Sequence, residues 1–330
     1  MFEIFLTCFI AGIIQTSCLP NSHEHAHPSS HVGFGYNEND PLGPNHWPEK
    51  YAKCAGKYQS PIDIEENIVT RVALPPLMLN GFYAPLENPT ITNNGHTVMV
   101  QVNSTDAVSI SGGPLLNPSF KFAQFHFHWG ANDSLGSEDM INNHSYPMEL
   151  HMVFYNSDYS NTTDAQQYMD GLAVLAFFFE VTEKDNKFYK PIVQSLSRIV
   201  NPQSTVPLEE SLKLVDLLPS NVDNYFTYMG SLTTPPCSEG VRWIDFKHPI
   251  LLSHEQLAKF RTIHSDAGIL SHNFRPIQPL SNRPIWYNSG SPTNLNLDSE
   301  TQKSNSFKNQ ISRVFLVFSF VPFVLFYFNN

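Results

Sequence analysis

The sequence predicts a mainly β fold, and three observations carry that expectation. From residue 31 to Tyr287 the chain repeats short apolar or alternating runs bounded by Pro, Gly and Asn, the length and period of strands. No internal repeat or linker interrupts that span, so its roughly 255 residues read as one domain. Of the 330 residues 41% are hydrophobic, enough for a large core.

The elements follow in chain order. Residues 1–19 carry an apolar core from Ile4 to Ile14 and small residues near Ser17, which predicts a secretory signal peptide. Glu3 stands where a basic residue is usual, and a membrane anchor is the competing reading, yet the run falls short of the roughly 20 residues a bilayer needs. Residues 20–30 are a His-rich polar arm, read as flexible and solvated rather than as a weak metal binder. In the domain, residues 31–287, the strand-like runs are HTVMVQV, FKFAQFHFHWG, ELHMVFY, LAVLAFFFEV and EGVRWIDF. Two helices are expected, over Lys187–Val200 and over Ser253–Ile263, the second with Ser253 as N-cap and Gln256 three residues on. Residues 288–306 form a polar linker ending in the small residues Ser304, Asn305 and Ser306. Residues 307–330 hold a terminal apolar run from Val314 to Phe328 with no basic residue after it, which predicts a removed signal for a glycosylphosphatidylinositol anchor. A single C-terminal span is the alternative, though such a helix usually carries cytoplasmic Lys or Arg.

Charge and cysteine content narrow the function classes. The formal charge is -11 with only 19 Lys and Arg, which argues against a nucleic-acid partner, since phosphate binding needs clustered cations. Of four cysteines, Cys8 and Cys18 fall in the signal, and no CxxC spacing is present. One disulfide between Cys54 and Cys237 is therefore the economical assignment in an oxidising compartment. Asn103, Asn132, Asn143 and Asn161 open sequons compatible with glycosylated surface loops.

Chemistry enters through alternation. On a strand Gln124, His126 and His128 share one face, while Phe125, Phe127 and Trp129 share the other. In the run Met148–Tyr155, Glu149, His151 and Val153 likewise share a face. If the two strands pair antiparallel, three imidazoles converge. Two histidines alone are more often surface or satisfied residues than a metal site; three suit zinc, whose catalytic sites take three protein ligands and keep a fourth position open. Gln124 and Glu149 each precede a candidate ligand by two residues on its own face, where an outer partner can fix the tautomer.

The motifs GPNHWPEKY, QSPIDI, NNGH, QFHFHWG, GSE, MELHMV, GSLTTPPC, VRWIDF and FRPIQPLSNR, in this order, closely resemble the α-class carbonic anhydrases from Val32 to Trp286. The resemblance implies a large, twisted, mostly antiparallel central sheet with a few peripheral helices, and zinc at the bottom of a cone. It implies zinc ligands His126, His128 and His151, partnered by Gln124, the Asn273 backbone carbonyl and Glu149. Thr233 matches the hydroxyl that orients the nucleophile and donates to Glu138, and Thr234 lies beside the substrate. Val153, Val174, Leu232, Val241 and Trp243 match the apolar substrate pocket, and His96 the proton shuttle. Cis bonds are implied at Ser60-Pro61 and Pro235-Pro236. The implied activity is reversible hydration of carbon dioxide to bicarbonate and a proton, here on the extracellular face of the plasma membrane through the lipid anchor, or alternatively from a single span or in secreted form. A catalytically weak ectodomain serving binding or adhesion is the competing function; noncatalytic relatives typically lose a ligand histidine, and this chain keeps three.

Three departures stand out. Val32 and Phe34 replace the family's usual Trp and Tyr, and Asp139 replaces a His near Glu149. A carboxylate there would repel Glu149 unless it turns away or stays protonated.

Overall fold

The computed structural model describes residues 33–102, 107–115 and 119–290. The signal, the arm, residues 291–306 of the linker and the tail, together with Val32, Asn103, Ser304, Asn305 and Ser306, lie outside them. Among the described residues no helix is long and apolar enough to cross a membrane.

A twelve-stranded sheet organises the molecule. Its main path runs Ser204–Pro207, Thr90–Asn93, Val98–Gln101, Phe120–Trp129, Met148–Asn156, Leu172–Thr182, Glu239–Ser253, Asn224–Ser231, Trp286–Ser289, Thr70–Val72. Leu77–Asn80 and Ser109–Gly112 branch from one end of Phe120–Trp129. Neighbours are antiparallel except Leu172–Thr182 with Glu239–Ser253, and Trp286–Ser289 with Thr70–Val72. The last strand runs to Ser289, two residues beyond the boundary read from the sequence.

Both faces of the sheet are covered. Phe125, Phe127, Leu150, Met152, Leu175 and Phe177 pack into the larger core, and Val153, Val174, Trp243 and Tyr228 into a smaller cluster on the other face. A strand buried on two sides has no solvent face to keep polar, which explains the unbroken apolar run Leu172–Phe179.

The helices are short. The run expected over Lys187–Val200 is helical only at Lys190–Ser195, followed by a 3-10 turn. Pro191 sits in the first turn, where its missing N–H costs nothing, and a proline there disfavours helix before it. His254–Phe260 is capped as expected, with Ser253 accepting from the Gln256 backbone and Gln256 returning the bond. Ser60-Pro61 and Pro235-Pro236 are cis. Cys54 and Cys237 form the disulfide, closing a separation of 183 residues; chain-entropy arguments assign such a bridge about 5 kcal/mol.

Candidate metal centre

Register brings the histidines together. Phe120–Trp129 pairs antiparallel with Met148–Asn156, and His126 stands directly opposite His151. A bulge between Phe122 and Gln124 resets the alternation just before His126, a common device for re-aiming side chains. One ring nitrogen of each of His126, His128 and His151 lies within 4.8 Å of the others.

Each ring is held from behind by an acceptor. His126 Nδ1 meets Gln124 Oε1 at 2.9 Å, His128 Nδ1 meets the Asn273 carbonyl at 2.7 Å, and His151 Nε2 meets Glu149 Oε1 at 2.7 Å. The Gln124 and Asn273 carbonyls only accept, and Glu149, which already takes two backbone N–H groups on its other oxygen, faces His151 as an acceptor too, so those nitrogens carry the protons. The lone pairs therefore lie on Nε2, Nε2 and Nδ1. Asn273 is also a clamp: its side chain accepts from the Trp129 backbone N–H and donates to the Phe127 and His96 carbonyls, fixing the strand end that carries His128. Burial, first of all, pushes all three imidazoles below their ordinary range, His151 to about 3. Neutral imidazoles are the form that binds metal. His128 Nε2 is buried with no hydrogen-bond partner, an orphan that a cation would satisfy. The donor set fits zinc.

Glu138 lies against this group, its Oε2 3.4 Å from His128 Nε2 and 3.9 Å from His151 Nδ1. Oε1 accepts from the Arg275 backbone at 2.8 Å. Burial raises the Glu138 carboxyl, while the nearby Thr233 hydroxyl and the Arg275 N–H pull it down. Arg275 was not singled out by sequence, yet its guanidinium bonds Gln59, the Ser60 carbonyl and the Cys54 carbonyl, tying the QSPIDI loop to the disulfide. Trp243 donates to the Ser231 carbonyl, bracing the strand end before Leu232 and Thr233.

Above the triad opens a cavity of about 400 Å³ lined by His126 and His151, by Val153, Val174, Leu232 and Trp243, and by Thr233 and Thr234. Val241 is not among its lining residues; 1% exposed and paired with Leu172, it backs the wall. Nor is His96, whose ring stacks on Phe34 at 3.9 Å with planes 10° apart. Burial lowers the His96 pKa, and Asp266 partly offsets this. Asn132, Asn143 and Asn161 are exposed.

Asp139 does not turn away from Glu149. Its carboxylate accepts from Ile62 N at 2.6 Å and from the Tyr228 hydroxyl at 3.0 Å, and its own backbone N–H, with that of Glu138, donates to Glu149 Oε2. Asp139, Glu149 and Asp245, all fully buried, offer oxygens within 4.8 Å of one another. Both Asp245 oxygens lack a hydrogen-bond partner. Burial raises all three carboxyls, Glu149 to about 8, and repulsion from Glu149 adds to the rise at Asp139 and Asp245. Sequence reading missed Asp245; the one signal was an acid in the apolar run VRWIDF.

Comparison with known proteins agrees with this geometry. A family model for eukaryotic-type carbonic anhydrases matches residues 42–289. Human (Homo sapiens) carbonic anhydrase 7 is 39% identical over 265 residues, 78% of this chain and 97% of that protein. Mouse (Mus musculus) carbonic anhydrase 15 is 36% identical over 263 residues, 76% of this chain and 81% of that protein. Mouse carbonic anhydrase 6 is 34% identical over 265 residues, 78% and 82% respectively. The chain belongs to the eukaryotic-type carbonic anhydrase family. It is thus an enzyme of carbon dioxide hydration, on the α-class fold.

Proposed function

We propose that the chain is a zinc enzyme that interconverts carbon dioxide and bicarbonate at the extracellular face of the plasma membrane, held by a lipid anchor attached near Ser304, Asn305 or Ser306. The observation that carries the zinc reading is the convergence of three neutral imidazoles, tautomers fixed from behind, at an apolar cavity. His126, His128 and His151 would hold the ion through Nε2, Nε2 and Nδ1. Zinc, when bound, makes water acidic enough to be a nucleophile near neutral pH, a property for which carbonic anhydrase is itself the reference case.

The other roles belong to the chain. Glu138 takes the Thr233 hydroxyl proton in a hydrogen bond, leaving that oxygen free to accept from the attacking group and so to orient it. Val153, Val174, Leu232 and Trp243 give carbon dioxide an apolar wall and exclude competing water, with Val241 behind them and Thr234 alongside. His96 accepts the released proton and passes it to buffer, its ring held by the Phe34 face. The signal-like N-terminus, the apolar tail and the Cys54–Cys237 bridge support the extracellular, anchored location.

Purified protein should hydrate carbon dioxide with one zinc per chain, and a strong chelator should remove both together. Full activity in zinc-free protein would overturn the reading. On cells, a phosphatidylinositol-specific phospholipase should release the protein; persistent attachment beside a released control protein would point to a true span.

A further inference from the structure

We propose that Asn161 carries an N-linked glycan that stands at the mouth of the cavity and filters its ligands by size. The inference rests on the secretory location proposed above. Asn161-Thr162-Thr163 is a sequon, and its position in the fold is what gives it consequence. The cavity that reaches His126, His151 and Thr233 is bounded on one side by Thr162, Thr163 and Gln166, and Asn161 immediately precedes them on the exposed rim. The sequons at Asn132 and Asn143 are also exposed, but neither contributes a residue to the cavity lining.

The side-chain atoms are already divided between two tasks. Asn161 Oδ1 caps the turn Thr162–Ala165 by accepting from Asp164 N at 3.0 Å. Nδ2, the atom that bonds to sugar, donates only to the exposed Ser160 hydroxyl at 3.2 Å. In the transfer, Nδ2 attacks the anomeric carbon of a lipid-diphosphate-linked oligosaccharide; an N–C bond forms, the C–O bond to diphosphate breaks, and the amide gives up one proton. The amide carbonyl survives, so the cap survives with it. A bulky, hydrated chain is then rooted beside Thr163. Carbon dioxide and bicarbonate are small enough to pass; a ligand with a long tail must share the mouth with the glycan.

The test uses full-length protein secreted or displayed by cells that glycosylate. Thr163→Ala removes the sequon and leaves the Asn161 cap, whereas Thr163→Ser keeps both. Peptide mass spectrometry should find glycan at Asn161 in the parent and in Thr163→Ser and none in Thr163→Ala. Enzymatic trimming of the parent, or Thr163→Ala, should raise the association rate of a tail-bearing aromatic sulfonamide by about threefold or more. Azide binding and carbon dioxide hydration, read on the parent before and after trimming, should stay within about twofold. Equal sulfonamide rates with and without the glycan overturn the filter. A bare Asn161 beside an occupied Asn103, Asn132 or Asn143 overturns this inference alone; all four bare overturn the secretory reading with it.

Discussion

Asp245→Asn is the most informative single change, because it replaces an acid by a neutral isostere in the most crowded carboxylate group of the described protein. Asp139, Glu149 and Asp245 lie within 4.8 Å of one another. Two unit charges at that separation repel by about 3.5 kcal/mol at an effective dielectric of 20, and Asp245 would face two of them. Its neighbours have donors to offset their charge: Ile62 N and Tyr228 for Asp139, three N–H groups for Glu149. Asp245 has none. It is therefore the member that keeps a proton, and its pKa is raised well above 3.8 by burial first and by Asp139 and Glu149 after.

The sign follows by linkage. An acid whose folded pKa lies above its unfolded value favours the fold below the unfolded pKa, and loses that contribution as pH rises toward the folded pKa. While the folded chain holds the proton, each pH unit costs about 1.4 kcal/mol, so the interval from pH 5 to pH 7 costs up to about 3 kcal/mol. For a domain this size that is roughly 6 to 12 °C in Tm. Asn offers two N–H donors to the surrounding carboxylates and does not titrate. Zinc-saturated parent and variant should therefore melt close together at pH 5, with the variant increasingly the more stable toward pH 7. Scanning calorimetry across that range measures the gap. A gap that is constant with pH, or an Asn variant weaker throughout, would refute the argument, and a second equivalent of metal lost with Asp245 would show a cation in place of the proton.

Three further outcomes are expected. His126→Ala and His151→Ala should each lose most of their zinc and all measurable hydration, read by metal analysis and assay; retained zinc with normal turnover would remove them as ligands. His96→Ala should lower turnover in dilute buffer while leaving catalytic efficiency near the parent, because diffusion-limited recapture caps proton release from an acid titrating near 7 at roughly 10³ per second; added imidazole should restore it, and an unchanged variant under a parent that exceeds this cap would assign the proton elsewhere. Cys54→Ser should lower the unfolding free energy read from urea titration by up to about 5 kcal/mol and reduce hydration as well, since Cys237 anchors the loop bearing Thr233; unchanged stability and activity would reduce the bridge to ornament.

What could be read from sequence, and what could not, divides by how each contact is made. The histidine face of Phe120–Trp129 follows from period two, and one assumption, antiparallel pairing with Met148–Asn156, places His151 opposite His126. The capping box is likewise local, four residues long. Arg275 reaches Gln59, Ser60 and Cys54 from a segment with no period, so nothing short of the folded chain shows it. The acid cluster is harder still, for Asp245 meets Glu149 only because two pairings act together. Ala176 stands opposite His151 on one side and opposite Asp245 on the other, the second pairing being parallel. Ala176 is also small, and a larger side chain in that row would fill the space between the His151 strand and the Asp245 strand. A rule that reads one strand at a time sees an acid in an apolar run; the metal-site neighbour that gives it meaning lies two strands away.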